Sequence, residues 1–120
     1  RARLDALLHP MILAEIDAQL TALDAPNRLI FADIPLLYEC GMENSFDRVW
    51  VLSAPRGMQI DRLISRDGLS AHEAAQRIDA QMPLCEKERR ADSVIHTDGS
   101  VEQTQGQIRA LLRAAERRQA

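Results

Sequence analysis

Aromatic side chains are scarce in this sequence: they make up 3% of 120 residues, with one Trp, one Tyr and two Phe. A core with so few large rings must rest on Leu, Ile, Val and Ala, and an apolar fraction of 46% is normal for a globular domain. No apolar run approaches the length of a membrane span, and the first residues do not follow the signal-peptide pattern. The sequence therefore predicts one globular domain, or part of a larger one.

Cysteine is nearly absent as well. Cys40 and Cys85 are the only two, and they are too few and too far apart for a disulfide framework or a Cys-x-x-Cys site. Such usage is typical of a reducing compartment, and we expect a cytoplasmic protein.

Lysine is almost missing, since Lys87 is the single lysine among fifteen basic residues. The net charge of −3 argues against nucleic-acid or membrane-surface partners. Residues 1–55 carry four arginines against eight acidic residues, a net of −4, whereas residues 56–90 carry seven cations against six acids, a net of +1. Arginine has a planar fork that suits phosphate and carboxylate, although an arginine bias can also reflect genomic composition.

Strands and helices alternate along the chain, which predicts an α/β layered fold. Leu, Ile and Met recur at three- and four-residue steps over residues 4–23, the pattern of an amphipathic helix that Pro10 should kink. Continuous apolar runs from Arg28 and from Arg48 predict two strands of a parallel sheet. A third short strand and a turn are expected within residues 93–100.

Local signals place the remaining helices. Pro55 opens a helix that should end near Gly68, and residues 70–73 (Ser-Ala-His-Glu) form a capping-box pattern for a second helix to about Gln81. Residues 100–103 supply a similar pair, Ser and Gln, for a final helix.

Two familiar kinds of catalytic site are excluded. His72 and Glu73 come close to the zinc-peptidase pattern, but Gln76 stands where the second histidine must be, and one histidine cannot hold a catalytic zinc. No Gly-x-Ser-x-Gly elbow occurs, and the histidines have no Ser or Cys arrangement for nucleophilic catalysis. We therefore predict no metal site.

Three charged residues remain as candidates for a functional site: two arginines and one aspartate. Arg62 and Arg66 lie one helical turn apart on one face, where like charges repel slightly unless an anion lies over them. They are either a solvated face neutralised by Asp61 and Asp67 or a cationic clamp for phosphoryl groups. Asp33, at the carboxyl end of its predicted strand, is either a ligand-site residue or a structural one, a helix cap or turn former.

Five segments in register resemble bacterial dephospho-CoA kinases: LLHPMI, DIPLLYE, RLISRDGLS, RIDAQ and ADSVIHTDGS. The resemblance covers nearly the whole chain. It implies an α/β fold of the P-loop nucleoside-monophosphate-kinase-like group, with three layers, a parallel sheet and a helical lid. It also implies transfer of the ATP γ-phosphate to the ribose 3′-hydroxyl of dephospho-CoA, completing coenzyme A.

The resemblance divides the chain into a helical CoA-binding region at about 1–27, core strands at 28–55, lid helices at 56–91, and a core strand with the last helix at 92–120. It implies binding of the acceptor substrate by His9, Asp33, Pro35, Leu36, Leu37 and Glu39. It implies catalytic roles for Arg62 and Arg66, and ATP contacts for Arg77, Gln81, Lys87, Asp98 and Gly99.

Two departures from the family pattern stand out. The adenine-proximal turn, usually similar to Asn-x-Gly, reads Thr97-Asp98-Gly99 here. The five glycines nowhere form the phosphate loop Gly-x₄-Gly-Lys-Ser/Thr. Because the sequence also begins inside a helical pattern without a methionine, we expect the carboxyl-terminal portion of the enzyme, with ATP and Mg²⁺ held mainly by residues upstream of Arg1.

Two other functions stay open, a different P-loop kinase with another acceptor and a non-catalytic helical interaction module. Self-association is also expected, because strands without sheet neighbours would expose apolar edges.

We predict that residues 1–120 alone show no ATP-dependent conversion of dephospho-CoA, since no nest of backbone amides cradles the β-phosphate. A coupled ADP-release assay checks this, with the complete encoded polypeptide as positive control. Turnover by the 120 residues would contradict the prediction.

Overall fold

The computed structural model describes residues 11, 14–22 and 29–119, with side chains up to residue 117. The chain forms two compact units, Arg1–Met42 and Glu43–Ala120. In the first unit, residues 11 and 14–22 are helical, as the periodicity predicts, while Pro10 lies outside the described residues. Residues 35–41 form consecutive turns that Gly41 closes with a positive φ of 67°.

Residues 29–34 do not form the strand expected from Arg28, and the prediction is wrong for these residues. They carry no strand assignment, and the part of the chain that the structure describes has one sheet, of two other strands. A strand requires a backbone partner as well as apolar side chains. The apolar run could not show whether such a partner exists. Asp33 therefore precedes a turn and does not end a strand.

The second unit contains the helices and strands that the local signals predict. A short 3-10 helix over Glu43–Ser45 comes first. There follow β1 (Trp50–Ser53), α1 (Arg56–Asp67), α2 (Ala71–Asp79), α3 (Leu84–Arg90), β2 (Ser93–His96) and α4 (Val101–Gln119).

The two strands pair in parallel, with Trp50 opposite Ser93 and Ser53 opposite His96. A parallel pair requires a crossover connection, and α1, α2 and α3 supply it. The sheet holds much of the buried core, since Val51 is 8% exposed and Ile95 is 2% exposed. The predictions for these two strands are confirmed.

The caps agree with the sequence signals. Ser70 Oγ accepts from the Glu73 amide at 3.1 Å and Glu73 Oε1 accepts from the Ser70 amide, which completes the capping box. Ser100 and Gln103 make the same exchange before α4. The second helix ends at Asp79, two residues before the predicted Gln81.

Gly68 ends α1 in the left-handed conformation, with φ of 66°, and its amide donates to the Ile64 carbonyl at 3.0 Å. A residue with a Cβ is strained in that conformation, whereas glycine is not. Arg56 and Asp79 join the other ends of α1 and α2 through an exposed ion pair of 2.9 Å. Exposed pairs of this kind add little stability, so the turn at Gly68 is the more sensitive point.

We predict that Gly68→Ala lowers the free energy of unfolding by about 1 kcal/mol, because alanine must adopt a positive φ. Gly57→Ala is the matched control: it lies inside α1, and a Cβ there meets no atom within 4 Å. The control should raise stability by about 0.5 kcal/mol, since alanine favours helix. Urea unfolding of both variants measures the change in the free energy of unfolding. The same change in Gly68→Ala and Gly57→Ala would contradict the role of Gly68.

Candidate functional site

A groove of about 740 Å³ runs along α1 and the end of α2. Arg62 and Arg66 both line it, one helical turn apart as the sequence predicts. Its other lining residues are Met58, Gln59, Asp61, Leu63, Ser65, Ile78 and Gln81. The groove lining thus combines apolar side chains with two arginines, a composition suited to an anionic ligand that has an organic part.

Arg62 reaches from α1 to the turn that follows β2. Its Nη1 donates to Thr97 Oγ1 at 2.8 Å, and its Nη2 donates to the Thr97 carbonyl oxygen at 2.6 Å. Both acceptors are neutral. Arg62 therefore keeps its whole positive charge, and three of its five N–H donors have no partner among the described residues.

Arg66 is paired differently, since it forms a two-pronged ion pair with Asp67 at 3.0 and 3.2 Å. Arg77, from α2, reaches the same carboxylate at 3.4 Å. The arginine side chains are 73% and 60% exposed, while that of Asp67 is 29% exposed. One carboxylate therefore neutralises part of the charge of two arginines, which is the local neutralisation that the solvated-face interpretation expects at Arg66.

This pairing shifts the ionisation of both partners. The hydrogen bonds from Arg66 lower the pKa of the Asp67 carboxyl below its ordinary value of 3.8; partial burial opposes the shift, and the charges of Arg66 and Arg77 add to it. The same hydrogen bonds raise the pKa of Arg66. Because the pKa of Asp67 is depressed on folding, its stabilisation is present above pH 3.8 and is lost as the pH falls through the folded-state pKa.

Gln81 and Lys87 meet just beyond α2. Lys87 Nζ donates to Gln81 Oε1 at 3.5 Å, and Gln81 lines the groove. The lid residues predicted from the resemblance therefore form three small groups: Arg62 with Thr97, Arg66 and Arg77 with Asp67, and Gln81 with Lys87.

The turn after β2 contains Asp98 and Gly99, the predicted ATP contacts. Asp98 is exposed. A Cβ at Gly99 would collide with the side-chain oxygen of Gln103, the one that accepts from the Ser100 amide. Glycine at 99 thus has a packing reason in addition to any role in binding.

The predicted acceptor residues lie in the first unit. Asp33, Pro35 and Leu36 are exposed, and Leu37 and Glu39 are partly buried, all in or beside the turns of residues 35–41. The Cys40 amide donates to the Leu36 carbonyl at 2.9 Å and the Met42 amide to the Leu37 carbonyl at 2.9 Å, which fixes this backbone. His9 lies outside the described residues.

The structure adds two contacts that the sequence did not show. Ser53, 7% exposed at the end of β1, donates from its hydroxyl to Glu88 Oε1 at 2.8 Å. Thr97, noted in the sequence only as a departure from a family pattern, is the anchor of Arg62. Both contacts join residues 35 positions apart, and no local spacing signals such pairs.

No group of three or more His, Cys, Asp or Glu among residues 11, 14–22 and 29–119 could hold a metal ion. Within the described part of the chain, no helix has the length and apolarity needed to cross a membrane.

The profile of the dephospho-CoA kinase family matches residues 1–103. The dephospho-CoA kinase of Symbiobacterium thermophilum is 45% identical over 116 residues, covering 96% of this chain and 48% of that protein. That of Thermosynechococcus vestitus is 43% identical over 108 residues, covering 90% of this chain and 52% of the relative. The chain spans about half the length of the curated relatives it matches.

A solved structure also resembles this chain. The crystal structure of TT1252 from Thermus thermophilus matches with a TM-score of 0.77 and 35% identity, covering 94% of this chain and 58% of that one. The fold is therefore α/β, of the P-loop nucleoside-monophosphate-kinase-like class, as predicted. Within that class, the chain belongs to the dephospho-CoA kinase family.

We predict that the Asp67 carboxyl titrates below pH 3.8, and that Arg66→Gln moves its midpoint up toward that value. Arg77→Gln is the control and should move it less, because Arg77 adds charge to the interaction while Arg66 supplies the hydrogen bonds that dominate the shift. Carboxyl chemical shifts followed by NMR over pH 2–6 give the midpoints. Equal effects of the two variants would refute this ranking.

Proposed function

We propose that the protein containing this chain transfers the γ-phosphoryl group of ATP to the 3′-hydroxyl of dephospho-CoA, giving coenzyme A and ADP. Membership of the dephospho-CoA kinase family supports the reaction. The observation that carries the assignment of the site is that Arg62 and Arg66 line one groove, with Arg62 held by neutral acceptors.

The reaction explains why guanidinium groups are useful here. The 3′-oxygen forms a bond to the γ-phosphorus while the bond between the γ-phosphorus and the β–γ bridging oxygen breaks. A base accepts the proton of the 3′-hydroxyl. Negative charge spreads over the phosphoryl oxygens and the departing ADP. Cations already fixed in position stabilise this charge without reorganising during the reaction.

The two groove arginines would act in different ways. Arg62 presents its unused N–H donors and its whole charge to an anion. Arg66 would first exchange Asp67 for a phosphoryl oxygen, so part of its binding energy replaces an existing ion pair. Arg77, which shares Asp67, would contribute through the same exchange.

The other predicted residues keep the roles that the resemblance gives them. Gln81 lines the groove and accepts a hydrogen bond from Lys87, and both would contact the phosphates of ATP. Asp98 and Gly99 would border the adenine. The acceptor substrate would contact His9, Asp33, Pro35, Leu36, Leu37 and Glu39.

Mg²⁺ neutralises charge on the β- and γ-phosphates when it is bound in such enzymes. The five glycines of this sequence do not form the phosphate loop that cradles a nucleotide triphosphate. We therefore propose that parts of the protein outside this chain hold the ion and most of the triphosphate.

Self-association through a sheet edge stays a prediction. Leu52 on β1 is 61% exposed, and β1 pairs with β2 alone within the described residues. An exposed apolar side chain on such an edge favours pairing with another chain.

We predict that, in the complete encoded polypeptide, Arg62→Ala lowers kcat by on the order of 10²-fold, as loss of a charge donor to a transition state commonly does. Arg66→Ala should lower it less, because Asp67 already neutralises part of that charge. The control is Arg56→Ala, which removes a third α1 arginine that pairs with Asp79 and does not line the groove. ATP-dependent formation of coenzyme A is the measurement.

Three outcomes would contradict the proposal. An equal loss of kcat in Arg56→Ala and Arg62→Ala would show that the groove takes no specific part in the reaction. Tighter binding of nucleoside monophosphates than of dephospho-CoA in a competition assay would point to another acceptor. A complete polypeptide that phosphorylates neither would leave the α1 face as an interaction surface.

A further inference from the structure

Thr97 joins three parts of the second unit. Its amide donates to the Ser53 carbonyl at the end of β1 at 2.8 Å, and its hydroxyl donates to the same carbonyl at 3.1 Å. The same hydroxyl oxygen accepts from Arg62 Nη1. A hydroxyl has one proton and two lone pairs, so it can make both contacts at once.

These contacts tie an exposed side chain to the sheet. Arg62 lies on the exposed face of α1, where a guanidinium would otherwise sample many rotamers. The side-chain hydroxyl and the main-chain carbonyl of Thr97 hold two adjacent nitrogens, which fixes the plane of the guanidinium. Thr97 itself is fixed because it directly extends the β1–β2 ladder.

The neutrality of the anchor matters for an anionic ligand. A carboxylate in place of Thr97 would hold the guanidinium equally well but would also cancel its charge, as Asp67 does for Arg66. A hydroxyl and a carbonyl orient the group through dipoles alone. The charge then remains available to a ligand in the groove that Arg62 lines.

We propose that Thr97 is a positioning residue for Arg62: its hydroxyl, held by the Ser53 carbonyl, fixes the guanidinium of this groove-lining residue before the phosphoryl donor arrives. This inference rests on the proposed function, in which Arg62 stabilises the transferred phosphoryl group. Preorganisation of this kind lowers the barrier, because the cation need not be ordered during the reaction.

The test compares three enzymes as complete encoded polypeptides. Thr97→Val removes the hydroxyl and keeps the branched shape, and it should lower kcat by about tenfold, the effect of losing one hydrogen bond to a charged group. The KM for dephospho-CoA should stay within twofold. Thr97→Ser keeps the hydroxyl and should restore kcat to within twofold of wild type.

A double-mutant cycle separates positioning from direct contact. In an Arg62→Ala background, Thr97→Val should change kcat by less than twofold, because the residue acts through Arg62. The same tenfold loss in both backgrounds would overturn the proposal, since Thr97 would then act on the nucleotide or on the fold. An unchanged kcat in Thr97→Val alone would overturn it as well.

A further measurement requires neither enzymatic activity nor a substituted protein. Arginine side-chain NMR of the wild-type protein should show hindered rotation about the Nε–Cζ bond of Arg62, with Arg113 as an exposed reference. Free rotation at Arg62 would overturn the positioning role even where the kinase is active. A wild-type polypeptide without dephospho-CoA kinase activity but with hindered rotation would defeat the proposed function and leave the contact in place.

Discussion

The parallel pairing of β1 with β2 is the constraint on which the rest of the second unit depends. Its register places Ser53 opposite His96, so the next residue, Thr97, meets the Ser53 carbonyl with both its amide and its hydroxyl. Parallel strands cannot be joined by a tight turn, and the three crossover helices follow from that requirement. The groove arginines lie on the first of these helices, so their position relative to the turn after β2 is set by the sheet.

Arg62 and Arg66 lie on the same helix but differ in how much of their charge their hydrogen-bond partners neutralise. Arg62 meets a hydroxyl and a carbonyl, which orient it and leave its charge intact. Arg66 meets a carboxylate, which orients it and takes up part of its charge. An anion entering the groove therefore gains directly from Arg62, whereas at Arg66 it competes with Asp67. The α1 face is thus both a locally neutralised surface, at Arg66, and a cationic one, at Arg62.

The features that the sequence predicted correctly in this unit are those determined within a few residues. The capping box at Ser70 and Glu73 and the left-handed end at Gly68 involve neighbours three or four positions apart, so local chemistry decides them. The prediction of a strand from Arg28 was wrong because an apolar run does not specify the neighbouring strand with which it would pair. The contact between Arg62 and Thr97 spans 35 positions and depends on how the crossover helices return to the sheet. Spacing could place the two groove arginines on one face, but it could not show what holds them.

The same contact bears on the choice of arginine in this part of the chain. A lysine at 62 would bring one compact charge on a flexible stem and could not engage a hydroxyl and a carbonyl with two coplanar nitrogens. The guanidinium uses one edge for Thr97 and keeps further donors for a ligand. Lysine is nearly absent from the whole sequence, but at 62 the geometry supplies a reason of its own for arginine. An orienting contact that leaves the charge uncompensated requires a planar cation beside a neutral anchor, and Arg62 beside Thr97 meets both conditions.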